Sequence, residues 1–168
     1  SKQYTLNTDG TIDYGFKKQM MLQTYRSFHR LFGETFIVYN PDYQKLKIDY
    51  SSTVMADKKQ VNAPENAFNE VLPRFARKAP AFNQLREMVV THTGLEIGAR
   101  INFAYTLTSE KGFYPALMGT EEFAEDQPVI VYVLDITVPN DKKLHYRMFN
   151  SDVKPEIARI NQAFSTYH

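Results

Sequence analysis

The sequence of 168 residues contains no cysteine and no tryptophan. Without cysteine the chain can form no disulfide, offers no thiolate nucleophile and cannot hold zinc through sulfur. It also lacks an apolar run near the roughly 20 residues that span a bilayer, so no membrane span is predicted. An excess of one charge is missing too, because 20 basic and 19 acidic residues leave a net charge of +1. This balance argues against a nucleic-acid partner.

Aromatic side chains, by contrast, make up 14% of the chain, with 11 tyrosines and 12 phenylalanines. Both residue types favour strands, where a large ring covers a pleated, half-buried surface. Three segments alternate between apolar and polar side chains, which is the period of a strand with one buried face: 12–24, 46–54 and 101–107. In the second segment the alternation predicts that Tyr50 faces the core and that Thr53 faces solvent.

Turn signals separate these long strands from shorter ones. Asp9-Gly10 predicts a hairpin between residues 4–7 and the first long strand. Asn40-Pro41-Asp42 predicts a turn after a strand at 35–39. Further strands are predicted at 89–93 and 144–149, and the apolar run 129–138 predicts a central strand that is covered on both faces.

Residues 62–82 break this pattern. Phe68, Phe75 and Phe82 are spaced seven apart, as on one helical face, but three prolines limit any helix to one or two turns. We therefore expect short helical turns around residues 65–79 that lay their phenylalanines on a sheet. The fold class predicted for the chain is all-β, an antiparallel β-sandwich of immunoglobulin-like or larger size.

The strand signals end near residue 150, which predicts a β-sandwich domain over 1–150. Residues 151–168 are predicted to form a C-terminal tail that leads toward a downstream domain. In this tail Ile157, Ile160 and Phe164 have helical spacing, but the pattern does not decide between helix and strand. If these apolar residues have partners beyond the tail, part of their surface should be exposed in this chain.

His92 and Glu96 are the first candidate pair for chemistry, in the segment Val-Thr-His-Thr-Gly-Leu-Glu. A functional interpretation makes His92 a base or a ligand with Glu96 as its partner. A zinc site would normally include a second histidine at a spacing such as i+4, and the sequence has none there. The pattern therefore favours a surface or strand-end histidine bonded to nearby backbone. His29, His145 and His168 stand alone in the sequence and are weaker candidates.

Two clusters of charge complete the candidates. Arg74, Arg77 and Lys78 could contact a phosphate or a carboxylate, although three cations among balanced charges usually form a solvated face. An acidic cluster lacks the alternating spacing and the glycine of a calcium loop, so a solvated loop is predicted for Glu121, Glu122, Glu125 and Asp126.

No Gly-rich phosphate loop, Gly-x-Ser-x-Gly elbow or His-Glu-x-x-His motif is present. We therefore predict no catalytic residue, no metal ligand and no cofactor. The tyrosines could stack against sugars, but most of them fall on the alternating core face. The candidates left for binding are His92, Glu96, Arg74 and Arg77.

The order of short motifs along nearly the whole chain resembles a known family. The strand at 4–10 and the long strand after it are followed by these motifs: Ile37-Val38-Tyr39-Asn40-Pro41, Gln44-Lys45-Leu46-Lys47-Ile48, Asn69-Glu70-Val71-Leu72-Pro73, Val90-Thr91-His92-Thr93-Gly94-Leu95-Glu96-Ile97-Gly98, Pro128-Val129 and Val138-Pro139. The sequence is similar to the bacterial domain of unknown function that precedes a transglutaminase-like domain in secreted proteins, especially of the Bacteroides group.

This resemblance implies a β-sandwich whose Cys-His-Asp chemistry belongs to the following, papain-like domain. It implies a non-catalytic accessory domain, located outside the cytoplasm in the periplasm, the cell envelope or the medium. Its partner would be the downstream transglutaminase-like domain of the same polypeptide, with a protein or glycan ligand as a further option. Two alternatives stay open: a carbohydrate- or peptide-binding module, and a hydrolase that uses His92 and Glu96.

Overall fold

The computed structural model describes residues 1–25, 30–125 and 127–168. Over these residues the chain is built mainly of β-strands, which confirms the predicted fold class. Besides the strands, the described residues include a short helical turn, α1 (Arg30–Gly33), and the 3-10 helices Glu65–Ala67, Arg74–Lys78 and Pro80–Phe82. The strands are β1 (Lys2–Leu6), β2 (Ile12–Met21), β3 (Glu34–Tyr39), β4 (Gln44–Val54), β5 (Gln60–Asn62), β6 (Phe68–Val71), β7 (Arg86–Thr91), β8 (Arg100–Ser109), β9 (Leu134–Pro139), β10 (Ile157–Arg159) and β11 (Phe164–Tyr167). No helix in this described part of the chain is long and apolar enough to cross a membrane.

The chain divides into two compact units. Residues 17–107 form one, which we call the central unit, and residues 1–16 with 108–168 form the other, which we call the terminal unit. Strands β2 and β8 have residues in both units.

The central unit has the two layers of a β-sandwich. One layer is the three-stranded antiparallel sheet β3-β7-β6, and the other follows the order β2-β8-β4-β5. Side chains from both layers meet, as when the rings of His92 and Phe103 pack edge to face at 5.5 Å. Its buried apolar core consists of Leu22, Ile37, Tyr39, Ala67, Ala76, Val90, Ala99, Ile101, Phe103 and Ala104.

Strand β4 buries different faces at its two ends, which corrects the predicted alternation. Leu46 and Ile48 are half-buried near its start, as predicted, but Tyr50 is exposed and Thr53 is fully buried. Near its end the strand turns its other face inward, where Ser51 contacts His92 across the sandwich. The hydroxyl of Ser51 there gives the buried imidazole a hydrogen-bond partner, which a buried polar group requires.

The terminal unit contains the strand order β10-β11-β9-β1-β2. Strands β1 and β2 form the predicted hairpin, in which Gly10 takes the left-handed conformation at φ +90°. The pairing of β1 with β9 is parallel, an exception in sheets that are otherwise mostly antiparallel.

Two strand predictions in the terminal unit are wrong. Strand β9 lies centrally, between β1 and β11, but it begins at Leu134, and Val129, Ile130 and Val131 before it are exposed. Its ladder with β1 starts at the pair Lys2↔Leu134, so the upstream part of the apolar run has no register on that strand. Residues 144–149 also form no strand. Hydrophobic pattern alone does not create a strand where no neighbouring backbone pairs with it.

The segment after Asn150 forms strands rather than a helix. Strand β11 pairs antiparallel with β9, and β10 pairs with β11. Ile157 and Ile160 are exposed, whereas Phe164 is half-buried.

Candidate functional site

His92 lies directly after β7 and is buried in the central unit. Its backbone N–H donates to the carbonyl oxygen of Gly33 at 2.9 Å. Its Nε2 lies 2.9 Å from Thr35 Oγ1 and its Nδ1 lies 3.3 Å from Ser51 Oγ. A neutral imidazole has one donor and one acceptor nitrogen, so the two hydroxyls satisfy both. The ring thereby ties β3 to β4.

Burial lowers the pKa of His92 to about 4 from 6.5, and the positive charge of Lys18 acts in the same direction. The imidazole is therefore neutral near pH 7. The cavity beside it measures about 30 Å³, which is enough for a water molecule. A substrate does not fit into that space.

Glu96, the predicted partner, is engaged separately. Its Oε1 accepts a hydrogen bond from the backbone N–H of Ala56 at 2.6 Å. In a catalytic triad a carboxylate orients the histidine nitrogen that does not face the nucleophile. Here Ser51 contacts one nitrogen of His92, and the other nitrogen contacts the hydroxyl of Thr35 rather than a carboxylate.

Arg74 and Arg77 lie on the exposed surface of the 3-10 helix Arg74–Lys78. Pro73 and Ala76 of this segment are buried, whereas Phe75 is 58% exposed. The predicted burial of Phe75 and Phe82 on a sheet is wrong, because both are exposed, and for Phe75 the reason is geometric. A 3-10 helix has three residues per turn, so positions 73 and 76 share the inner face and position 75 faces outward.

One residue of the acidic cluster, Glu121, belongs to a hydrogen-bond network that the sequence did not predict. Glu121 was expected in a solvated loop, but it is half-buried in the terminal unit. Its carboxylate accepts hydrogen bonds from Lys2 Nζ at 2.5 Å, from Tyr132 Oη at 3.0 Å and from the hydroxyl of Tyr4. Lys2 and Tyr4 are more than 100 positions away in the sequence, so no local signal marks this network. Asp126 lies outside the described residues.

The charges of this network are mutually stabilised. Burial by itself would raise the pKa of Glu121, but the hydrogen bonds from Lys2, Tyr4 and Tyr132 outweigh it and lower the pKa. Each carboxylate oxygen is thus occupied by protein donors, which leaves the group poorly placed to bind a cation. Among the described residues no cluster of three or more histidine or acidic side chains could hold a metal ion.

A second missed group lies on the three-stranded sheet of the central unit. The hydroxyl of Tyr39 donates to Glu70, whose other oxygen lies 3.8 Å from Arg86 Nε. Burial, together with the hydrogen bond to Glu70, raises the pKa of Tyr39 to about 12. These residues come from β3, β6 and β7, so the group links all three strands of the sheet.

The remaining histidines are His29, His145 and His168. His29 lies outside the described residues. His168 is exposed on the terminal unit, where its Nδ1 lies 2.5 Å from Asp135 Oδ1, and this hydrogen bond raises its pKa.

Comparison with protein families gives a match over residues 8–167 to DUF3857, a domain of unknown function with a solved structure. The chain belongs to the DUF3857 family. This confirms the resemblance at the level of a domain of unknown function. The comparison with curated proteins gave no match.

A solved structure of a putative protease from Parabacteroides distasonis is similar to this DUF3857 domain, with a TM-score of 0.93 and 42% sequence identity. The match covers 99% of this chain but 33% of that protein. The chain therefore spans one third of the protein it matches, and two thirds of that protein have no counterpart here.

Proposed function

We propose that this DUF3857 domain is a non-catalytic accessory domain of a longer bacterial protein of protease or transglutaminase-like type. The observation that carries the proposal is the coverage of the match to the Parabacteroides distasonis protein. Nearly the whole chain aligns with one third of a polypeptide described as a putative protease. In the proposed arrangement the catalytic residues belong to the other two thirds, in a transglutaminase-like domain with a Cys-His-Asp set.

The chemistry of the chain supports this division of labour. The sequence has no cysteine, so it cannot supply the nucleophile of a papain-like site. His92 uses both ring nitrogens to hold neighbouring strands, and the cavity beside it admits about one water molecule. A hydrolase built on His92 and Glu96 would need both side chains to be released from these contacts.

The surface of the terminal unit supports a docking role. Ile130 is 97% exposed, and large apolar side chains are exposed along much of the segment 114–160. The set consists of Tyr114, Met118, Phe123, Val129, Ile130, Val131, Tyr146, Phe149, Val153, Ile157 and Ile160. Concentrated exposed apolar residues are typical of surfaces that another protein element covers. We propose that the catalytic part of the same polypeptide covers them, and that the whole protein works outside the cytoplasm.

The test begins with the natural gene product. We expect it to be longer than this chain and to contain a cysteine-bearing domain. The 168-residue chain alone should turn over no peptide, ester or acyl-transfer substrate, whereas the full-length protein should be active on at least one of them. Replacement of the cysteine of that domain by alanine should abolish turnover by the full-length protein. His92→Gln should leave its turnover within about twofold of the unmodified protein. Turnover by the isolated chain that His92→Ala removes would contradict the proposal.

A further inference from the structure

The central unit carries a second surface that the accessory role does not use. Phe75 is 58% exposed and Phe82 is 47% exposed, and their rings contact each other edge to face at 6.4 Å. Arg74, Arg77 and Lys78 are exposed in the same segment. We call these five residues the aromatic-basic patch.

The patch is built on a fixed support. Pro73 and Ala76 are buried, which anchors the 3-10 helix Arg74–Lys78 to the unit while its phenylalanine faces outward. Pro80 begins the next 3-10 helix, Pro80–Phe82. Proline restricts the backbone, so little conformational entropy is lost when such a segment binds a partner. Two neighbouring aromatic rings held outward on a rigid support form an apolar centre that a partner side chain can cover.

The charge around the patch specifies the partner. Residues 72–85 contain three cations and no acidic residue. The rest of the chain has 17 basic residues against 19 acidic ones, so the positive charge is local rather than general. Nucleic acids and anionic membranes are usually bound by extended basic surfaces, whereas the excess of basic residues here is confined to three cations in a chain of net charge +1. A compact apolar centre with a cationic rim instead complements a short acidic peptide that carries an apolar side chain.

We propose that the aromatic-basic patch binds an acidic segment of another polypeptide, with an aromatic or aliphatic side chain of that segment packed on Phe75 and Phe82. Arginine guanidinium groups match carboxylates in a bidentate geometry, so Arg74 and Arg77 would pair with acidic residues that flank the apolar one. This inference concerns the central unit and does not depend on the proposed docking of the terminal unit.

The test uses the 168-residue chain and a panel of fluorescent twelve-residue peptides. Each peptide has a central Phe or Leu flanked by four Glu or Asp residues, and matched peptides replace either the apolar residue by Ser or the acids by Lys. We expect anisotropy to report binding of the acidic apolar peptides at low salt and weaker binding as salt rises. In the ¹⁵N-labelled chain, amide shifts on binding should centre on residues 73–83.

Two variants locate the binding. Phe75→Ala with Phe82→Ala, and separately Arg74→Glu with Arg77→Glu and Lys78→Glu, should each weaken it at least tenfold. Two control variants change other exposed residues of the unit, namely Tyr50→Ala with Ile97→Ala, and Lys45→Glu with Lys59→Glu and Arg100→Glu. The controls should stay within about twofold of the unmodified chain.

Several results would overturn the proposal. These are no binding by any acidic apolar peptide, equal binding by the patch variants, or amide shifts elsewhere in the chain. Tighter binding of a twenty-nucleotide oligothymidine, or of vesicles that contain phosphatidylserine, would reassign the patch to a different class of partner. None of these outcomes depends on whether the terminal unit docks a catalytic domain.

Discussion

The two units of the chain differ in how many of their apolar residues they bury. The central unit buries an apolar set that includes Phe103, Val90 and Leu22, while the buried aliphatics described in the terminal unit are Ile12 and Val138. The central unit also exposes some large apolar side chains, Phe75 and Phe82 among them, but the terminal unit exposes them along much of the segment 114–160, with Ile130 97% exposed. Burial of apolar area is the main driving force of folding. The comparison indicates that the central unit is stabilised by its own core and that the terminal unit has apolar surface left for a partner.

The largest change in the free energy of unfolding is expected for a substitution in the core of the central unit. Phe103→Ala removes a fully buried ring that contacts His92 and Tyr105, and it should lower the free energy of unfolding by about 3–5 kcal/mol. Urea denaturation of the isolated chain measures the loss. A change below about 1 kcal/mol would mean that the core is not the source of this unit's stability.

His92 provides a pH-dependent test of the same core. Its pKa is lowered to about 4 in the folded chain, so the unfolded chain binds more protons between pH 4 and 6.5. Its contribution is fully present above pH 6.5 and is lost as the pH falls toward 4, by up to about 3 kcal/mol. His92→Gln keeps a donor and an acceptor but does not titrate, and it should flatten this part of the curve. Identical pH profiles for the two chains would contradict the buried, neutral state of His92.

In the terminal unit, a test of stability is offered by Glu121, which accepts hydrogen bonds from Lys2, Tyr4 and Tyr132. Glu121→Gln removes the charge that Lys2 faces and should cost about 1–3 kcal/mol of unfolding free energy. The lowered pKa of Glu121 gives stability that is present above the unfolded value of 4.5 and is lost as the pH falls below it. Urea titrations at pH 7 and at pH 3 should therefore show a smaller difference between the two chains at pH 3. Glu122→Gln, a neighbouring exposed acid, is the matched control and should change neither value.

The smallest effect is expected on the exposed apolar surface of the terminal unit. Ile130→Ser should change the unfolding free energy of the isolated chain by less than about 0.5 kcal/mol, because the side chain already lies in water. Thermal unfolding followed by circular dichroism is sufficient to measure this. A loss near that of Phe103→Ala would show that Ile130 packs within this chain, and the contrast between the units would be wrong.

Local patterns predicted much of the fold. Alternation located β2 and β8, turn residues located the β1–β2 hairpin, and the prolines of 62–82 predicted short helical turns. The pattern failed where long-range pairing decided the outcome. The run at 129–133 is as apolar as a strand, but its ladder with β1 begins only at Leu134. The alternation in β4 predicts one inward face along the whole strand, whereas Ser51 and Thr53 are buried near its end and Ser51 contacts His92 of the other layer.

The candidate site residues were harder to judge from sequence. His92 was expected to be a surface or strand-end histidine bonded to nearby backbone, but its ring is buried and contacts hydroxyls on the distant strands β3 and β4. Phe75 is exposed because its segment is a 3-10 helix with three residues per turn. The seven-residue spacing of the phenylalanines indicated a face of an α-helix with 3.6 residues per turn instead. The network of Glu121 depends on Lys2 and Tyr4 from the far end of the chain.

Hydrogen exchange tests most directly the claim that the terminal unit docks the rest of a longer protein. The measurement compares the isolated chain with the full-length gene product by mass spectrometry, peptide by peptide. The account predicts that peptides covering 127–133 and 151–160 exchange at least tenfold more slowly in the full-length protein, while peptides of the core strands β7 and β8 are unchanged. Equal exchange of 127–133 and 151–160 in both proteins would contradict it.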